Sequence, residues 1–235
     1  MKKILFSAFL SLLVSSAWAQ VGEYRNQLAL GVNGGYLLNK VSFSPSVKQD
    51  FHGGVTGGLT LRYTSERYFN ILCALQAELN YARMGWKEVI ETSDDTYSRT
   101  MHYVQLPLLA RLSFGKEHRG VMGYLVLGPQ LGFFLSDQEN KSGEWSDETL
   151  GKRPNNVTGQ YGMAVDKKFE YGLTGGLGLE INTKVGHFML EGRYYYALGD
   201  MFSNGKSDYF SRSANGTIIV KAGYLIDIRR KKKQF

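Results

Sequence analysis

A two-residue alternation of apolar and polar side chains runs through this chain, and no amphipathic helical period competes with it. Ile71, Cys73, Leu75, Ala77, Leu79 and Tyr81 are apolar, and Gln76, Glu78 and Asn80 lie between them. In an extended strand the two sets fall on opposite faces. The pattern repeats at Val104, Leu106, Leu108, Ala110, Leu112 and Phe114 against Gln105, Arg111 and Ser113. It returns across 169–181, 188–196 and 218–228. Segments 28–37, 54–64 and 121–135 alternate less cleanly, broken by glycines or by Pro129. The total is eight expected strands.

The connections between them carry a second regularity. Long links at 38–53, 84–99, 136–167 and 199–214 take turns with short ones at 65–68, 115–120 and 182–186. Antiparallel up-and-down order gathers the long links at one end and the short turns at the other. Outer-membrane barrels share that asymmetry, with long external loops and short periplasmic turns. The chain is therefore expected to be all-β: an eight-stranded antiparallel up-and-down transmembrane barrel over 20–228.

Periodicity leaves open which face looks inward, and a soluble exported ligand-binding barrel is the alternative. Two observations favour the membrane version. In the sixth strand Gly172, Gly176 and Gly178 share the face of Glu170, Thr174 and Glu180, as a crowded lumen requires. Aromatic residues gather near strand ends: Tyr36, Tyr81, Phe169, Tyr171, Tyr194 and Tyr196 at one end, and Tyr63, Phe69, Phe114 and Phe188 at the other. Two such girdles suit the two interfaces of a bilayer.

The N-terminus agrees. Lys2 and Lys3 precede an apolar run at 4–14 and a small-x-small pattern, Ala17-Trp18-Ala19, so 1–19 reads as a cleaved signal peptide. Without those two lysines the formal charge of +7 falls to +5, and Arg229, Arg230, Lys231, Lys232 and Lys233 account for all of it. The basicity belongs to a C-terminal tail, 229–235, and not to a nucleic-acid surface. A single cysteine excludes a disulfide framework, and four scattered histidines exclude a zinc ribbon.

Beyond the signal peptide, the segments His102-Tyr103-Val104-Gln105-Leu106-Pro107-Leu108-Leu109 and Gly128-Pro129-Gln130-Leu131-Gly132-Phe133 carry a likeness, as do Gly172-Leu173-Thr174-Gly175-Gly176-Leu177-Gly178-Leu179-Glu180 and Lys221-Ala222-Gly223-Tyr224. On these residues the chain resembles the PorT-like outer-membrane β-barrel family, common in Bacteroidetes. The resemblance spans nearly the whole mature chain. It implies an outer-membrane address and, through the family's namesake, a link to protein secretion. Most members have no assigned activity.

The polar face gathers Arg62, Glu78, Arg111, Glu170, Glu180, Glu191, Arg193, Lys221 and Asp227. The interior of an eight-stranded barrel is just wide enough for side chains, so these groups are expected to form a self-neutralising network and not an open pore. A lipid A hydrolase or acyltransferase is the enzyme alternative, and His102 with Ser98 is the pair that would serve it. The glycine clusters at 31–35 and 175–178 lead into no helix and read as strand positions, not phosphate loops. Acidic loop residues match no calcium-loop pattern. No cofactor or metal is expected. The expected task is non-enzymatic, structural or accessory, with membrane lipid and envelope or secretion-machinery proteins as partners. Contact is assigned to the third external loop, 136–167, through Trp145 and Tyr161, because loops of that length are usually functional or disordered.

Overall fold

The computed structural model describes residues 23–117, 119–151, 153 and 157–230. The signal segment 1–19 and residues 231–235 of the tail lie outside them. The strands are β1 (Glu23–Ser44), β2 (His52–Tyr68), β3 (Ile71–Glu88), β4 (Thr96–Gly115), β5 (Gly120–Ser142), β6 (Phe169–Asn182), β7 (His187–Ala197) and β8 (Arg212–Arg230). Each pairs antiparallel with the next, and β1 pairs with β8, so the sheet closes into a ring; a two-residue strand in the first external loop, Gln49–Asp50, adds to the outer end of β3. Closure leaves no sheet edge along the shared ladders, as a lipid-exposed wall requires. One helical turn, α1 (Asp147–Leu150), lies in the third external loop.

The faces resolve as a membrane barrel. Leu79 is 52% exposed while its neighbour Glu78 is 2% exposed. Both girdles point outward, with Tyr36, Tyr171 and Tyr194 at the external end and Phe114 and Phe188 at the periplasmic end. An inward apolar face, as in a soluble ligand-binding barrel, is excluded by these orientations across the membrane zone.

The strands outrun their expected ends at the external side. Residues 84–99, read as a loop, belong mostly to β3 and β4, leaving a link at 89–95. The third loop shortens from 136–167 to 143–168, and the fourth from 199–214 to 198–211. The reason is an inversion of the alternation. Above Tyr81, Ala82, Met84 and Trp86 turn inward and are fully buried, while Arg83 and Lys87 face out. On β4, Tyr97, Met101 and Tyr103 are buried inside. Outside the bilayer the barrel is solvated, so the apolar face moves to the interior.

A bulge changes the phase of β5 at the same height. His102 pairs with Ser136 but Tyr103 with Phe134, so Leu135 is an extra residue. Leu135 is 55% exposed on the lipid side, and the bulge turns Asp137 and Glu139 inward. A bulge re-aims side chains in this way.

Smaller differences follow at the periplasmic end. The turn between β2 and β3 is 69–70, not 65–68, and Phe69 sits in it with φ of 51° and 84% exposure. The ladder includes Arg229 and Arg230, opposite Leu28 and Gln27, so two residues assigned to the tail complete the last strand.

Candidate functional site: a charged lumen beneath an aromatic cap

The polar face of β3 places Gln76, Glu78 and Asn80 in the lumen, where β7 and β8 supply the cations. Glu78 Oε1 accepts from Arg193 Nη2 at 2.6 Å and from Gln76 Nε2 at 2.7 Å. Its Oε2 accepts from Lys221 Nζ at 2.5 Å, Asn80 Nδ2 at 2.9 Å and Arg193 Nη1 at 3.1 Å. Arg193 Nε also pairs with Glu191, and Lys221 Nζ lies 4.0 Å from the Glu191 carboxylate. One carboxylate thus holds five donors, which offsets its removal from water.

A second knot lies nearer the periplasm. Glu180 pairs with Arg62 and Arg111 and with His187 Nδ1 at 3.0 Å. His187 Nε2 reaches Asp227 Oδ1 at 3.1 Å. Arg111 stacks over the Tyr124 ring at 3.5 Å. A third knot stands toward the outside. There Glu170 accepts from Tyr195 Oη at 2.8 Å and from Asn215 Nδ2 at 2.5 Å.

Glycines on β6 leave room for these side chains. A Cβ at Gly178 would fall 2.1 Å from the Tyr124 ring, and one at Gly176 would fall 2.8 Å from Arg193 Cγ. Here the small residue is a steric necessity.

Eight of the nine lumen residues read from the sequence are buried inside the barrel: Arg62, Glu78, Arg111, Glu170, Glu180, Glu191, Arg193 and Lys221. Asp227 is half-buried at the periplasmic rim, against His187. His187 is not among those nine, because a lone histidine at a strand start gives no signal that it joins a charge network.

Above the lumen the extended strands enclose an apolar core. Phe43 and Trp86 meet edge to face at 5.2 Å, and Phe43 lies 4.9 Å from Phe210 and 6.3 Å from Phe202. Arg99 crosses this core and pairs with Asp137 and with Glu139. The third loop folds back onto it. Arg153 Nη2 donates to Asp95 Oδ2 at 2.8 Å and its guanidinium lies 4.7 Å from the Trp145 ring. Gln160 is fully buried and donates to Glu88.

Trp145 and Tyr161, the expected contact residues, are half-buried on the third loop. They pack on Tyr97 at 5.9 and 4.8 Å and on each other at 4.9 Å. Tyr161 Oη donates to Glu88 Oε1 at 2.9 Å, and Trp145 Nε1 donates to the Ser142 carbonyl at 3.3 Å. Their rings pack onto the cap, where part of their apolar surface leaves water.

Two carboxyls of the cap are shifted in opposite directions. Burial pushes Glu88 above its ordinary value, against the donors Tyr161 and Gln160 and the charge of Arg153. The Arg153 guanidinium, with Ser93, holds Asp95 below its ordinary value.

Of the enzyme candidates, His102 Nδ1 meets Tyr81 Oη at 2.5 Å, and the two rings stack at 5.8 Å on the outer surface. Among the described residues no carboxylate forms an ion pair with His102. Among the described residues no group of three or more His, Cys, Asp or Glu side chains is placed to hold a metal ion.

Three solved structures are similar to this chain. Ail, the attachment invasion locus protein of Yersinia pestis, is 16% identical over 87% of this chain and 99% of its own, with a TM-score of 0.38. Neisserial surface protein A is 15% identical over 83% and 97%, at 0.38. The outer membrane protein OprG from Pseudomonas aeruginosa is 12% identical over 87% and 98%, at 0.42. Comparison with curated proteins finds no match. A family model described as an outer membrane protein beta-barrel domain matches residues 18–203. That match covers most of the strands whose outward apolar and inward charged faces are set out above, and the chain belongs to the outer membrane protein beta-barrel domain family.

Proposed function

We propose that this outer-membrane barrel is non-enzymatic and non-conducting, and that it serves the cell envelope as a structural or accessory protein through its surfaces. The observation that carries this reading is the occupancy of the interior. Two knots of paired charges, around Glu180 and Glu78, and the hydrogen-bonded carboxyl of Glu170 cross the lumen, and an aromatic core stands above them. An ion moving through would have to break hydrogen-bonded pairs in a low-dielectric space, at several kcal/mol each.

The resemblance to PorT-like barrels makes secretion machinery the first assembly to test. A cleaved signal peptide at 1–19 and a basic periplasmic tail belong to the same reading. Photo-crosslinking in native cells from the exposed cap residue Tyr209 should give a discrete adduct with an envelope protein. Lipid adducts alone would overturn the accessory role. Planar bilayers containing the purified barrel should show no ohmic conductance, and steady single-channel steps would revive a pore.

A further inference from the structure

On the outer wall of β2, β3 and β4 a groove runs beneath a group of outward-facing cations, and the two share one axis along β3. The groove holds about 370 Å³ and is walled by Leu61, Tyr63, Leu75 and Leu108. Its floor is set by small side chains. Ala77 lies between Leu61 and Leu108 on the neighbouring strands, and Ala110 stands beside Leu75. Each alanine leaves a dip where its neighbours rise.

Following β3 upward from this groove, Leu79 and Tyr81 continue the outer face to the aromatic girdle, and Arg83 and Lys87 come next, both exposed. From Ala77 to Arg83 a strand tilted by about 40° rises ~15 Å along the membrane normal, the depth of about one leaflet. Beside them on β1, Lys40 Nζ sits 4.2 Å from the centre of the Phe51 ring. None of Lys40, Arg83 and Lys87 belongs to an ion pair among the described residues, although Asp50 stands across the ladder from Lys87. The cap's inward cations behave differently, since Arg99 and Arg153 each hold a carboxylate. On β4 the His102–Tyr81 pair adds hydrogen-bonding groups at the same girdle.

Cations left unpaired just above an apolar belt, with an empty-sided apolar groove one leaflet below, match the two halves of one molecule. We propose that this face holds a phosphorylated lipid of the outer leaflet. Its phosphate sits against Lys40, Arg83 and Lys87, and one acyl chain lies along β3 and ends in the groove over Ala77. The inference does not depend on the accessory role above and stands if that role fails.

The test uses the full-length barrel folded in detergent, native mass spectrometry, and three probes: bis-phosphorylated lipid A, the same lipid with both phosphates removed, and inorganic phosphate. Wild-type protein should retain one lipid A at least tenfold more tightly than the dephosphorylated lipid, and should not retain inorganic phosphate at matching concentration. The triple variant Lys40→Gln, Arg83→Gln, Lys87→Gln should lose that tenfold preference. Lys40→Arg with Lys87→Arg should keep it, because the charge is conserved. Ala77→Phe fills the groove from the lipid side and should weaken lipid A retention about tenfold. Heat-modifiable gel mobility verifies that every variant is a folded barrel.

Equal retention of both lipids would remove the headgroup contact and overturn the proposal. Retention of inorganic phosphate with the affinity of the lipid would make this a free-anion site, and would overturn the lipid. A protein dimer that Ala77→Phe abolishes would show that a second copy covers the groove, which overturns it equally.

Discussion

The membrane zone and the external cap are one continuous set of strands turned inside out. Along β3, Ile71 to Tyr81 send apolar side chains out and Gln76, Glu78 and Asn80 in, whereas from Ala82 onward Met84 and Trp86 go in and Arg83 and Lys87 go out. The backbone does not change; the surroundings do. In lipid the apolar face gains nothing by turning inward, so the interior is left to polar groups that must satisfy one another. In water the same ring of strands must bury its apolar face, and it does so around Phe43, Trp86, Phe202 and Phe210. Two cohesive forces therefore hold one barrel: paired charges below and aromatic packing above.

The largest expected effect separates them from below. Glu78→Leu removes the acceptor of five hydrogen bonds and leaves Arg193 and Lys221 sharing Glu191 alone. Breaking such a buried arrangement by deleting one partner costs about 3–5 kcal/mol. Urea unfolding followed by heat-modifiable gel mobility should shift to lower denaturant by that amount. A Glu78→Leu barrel as resistant as wild type would mean that the lumen charges contribute no cohesion.

The second experiment works from above. The chain has three tryptophans, Trp18, Trp86 and Trp145. The first lies in the expected signal peptide and the other two in the cap, so indole fluorescence of mature protein reports on the cap alone. Trp86→Ala opens a cavity between Phe43 and Tyr97 and should cost about 3 kcal/mol, in line with other buried aromatic truncations. Trp145 emission should shift red at a denaturant concentration where gel mobility still shows a folded barrel. If both probes move together, cap and wall form one cooperative unit and the division drawn here fails.

The division explains what was legible in the sequence. Strand number, loop asymmetry and eight of the nine interior charges were readable because membrane-zone alternation is strict, and Glu78 between Ala77 and Leu79 has one reading in a two-period strand. The cap was not read because its alternation inverts. Ala82-Arg83-Met84-Gly85-Trp86-Lys87 still alternates, but with the apolar phase shifted by one, so a reading tuned to the lower phase ends the strand at Tyr81. Leu135 hid a second change, since a bulge shows no pattern of its own in sequence. Trp145 and Tyr161 stood out as large aromatics on a long loop. What sequence does not supply is Tyr97 beneath them, contributed by a strand far away in the chain.

The smallest expected effect sharpens the comparison through pH, because two carboxyls of the cap are shifted in opposite directions. Glu88 is raised by burial, so its folded value lies above its ordinary 4.5. Its protonated form favours the closed cap. That contribution is complete below the ordinary value and is lost as pH rises through the raised one. Asp95 is depressed below its ordinary 3.8 by Arg153 and Ser93. Its contribution is present above 3.8 and is lost as pH falls through the lowered value. Cap stability, followed by Trp145 emission in a fixed urea concentration, should therefore fall on both sides of a maximum near the ordinary carboxyl range. Glu88→Gln should flatten the decline on the alkaline side and leave the acid side alone, and Asp95→Asn should do the reverse. Gel mobility of the membrane wall should stay constant throughout. A Glu88→Gln protein that keeps the full alkaline decline would show that the pH response does not arise where Tyr161 and Gln160 hold that carboxyl.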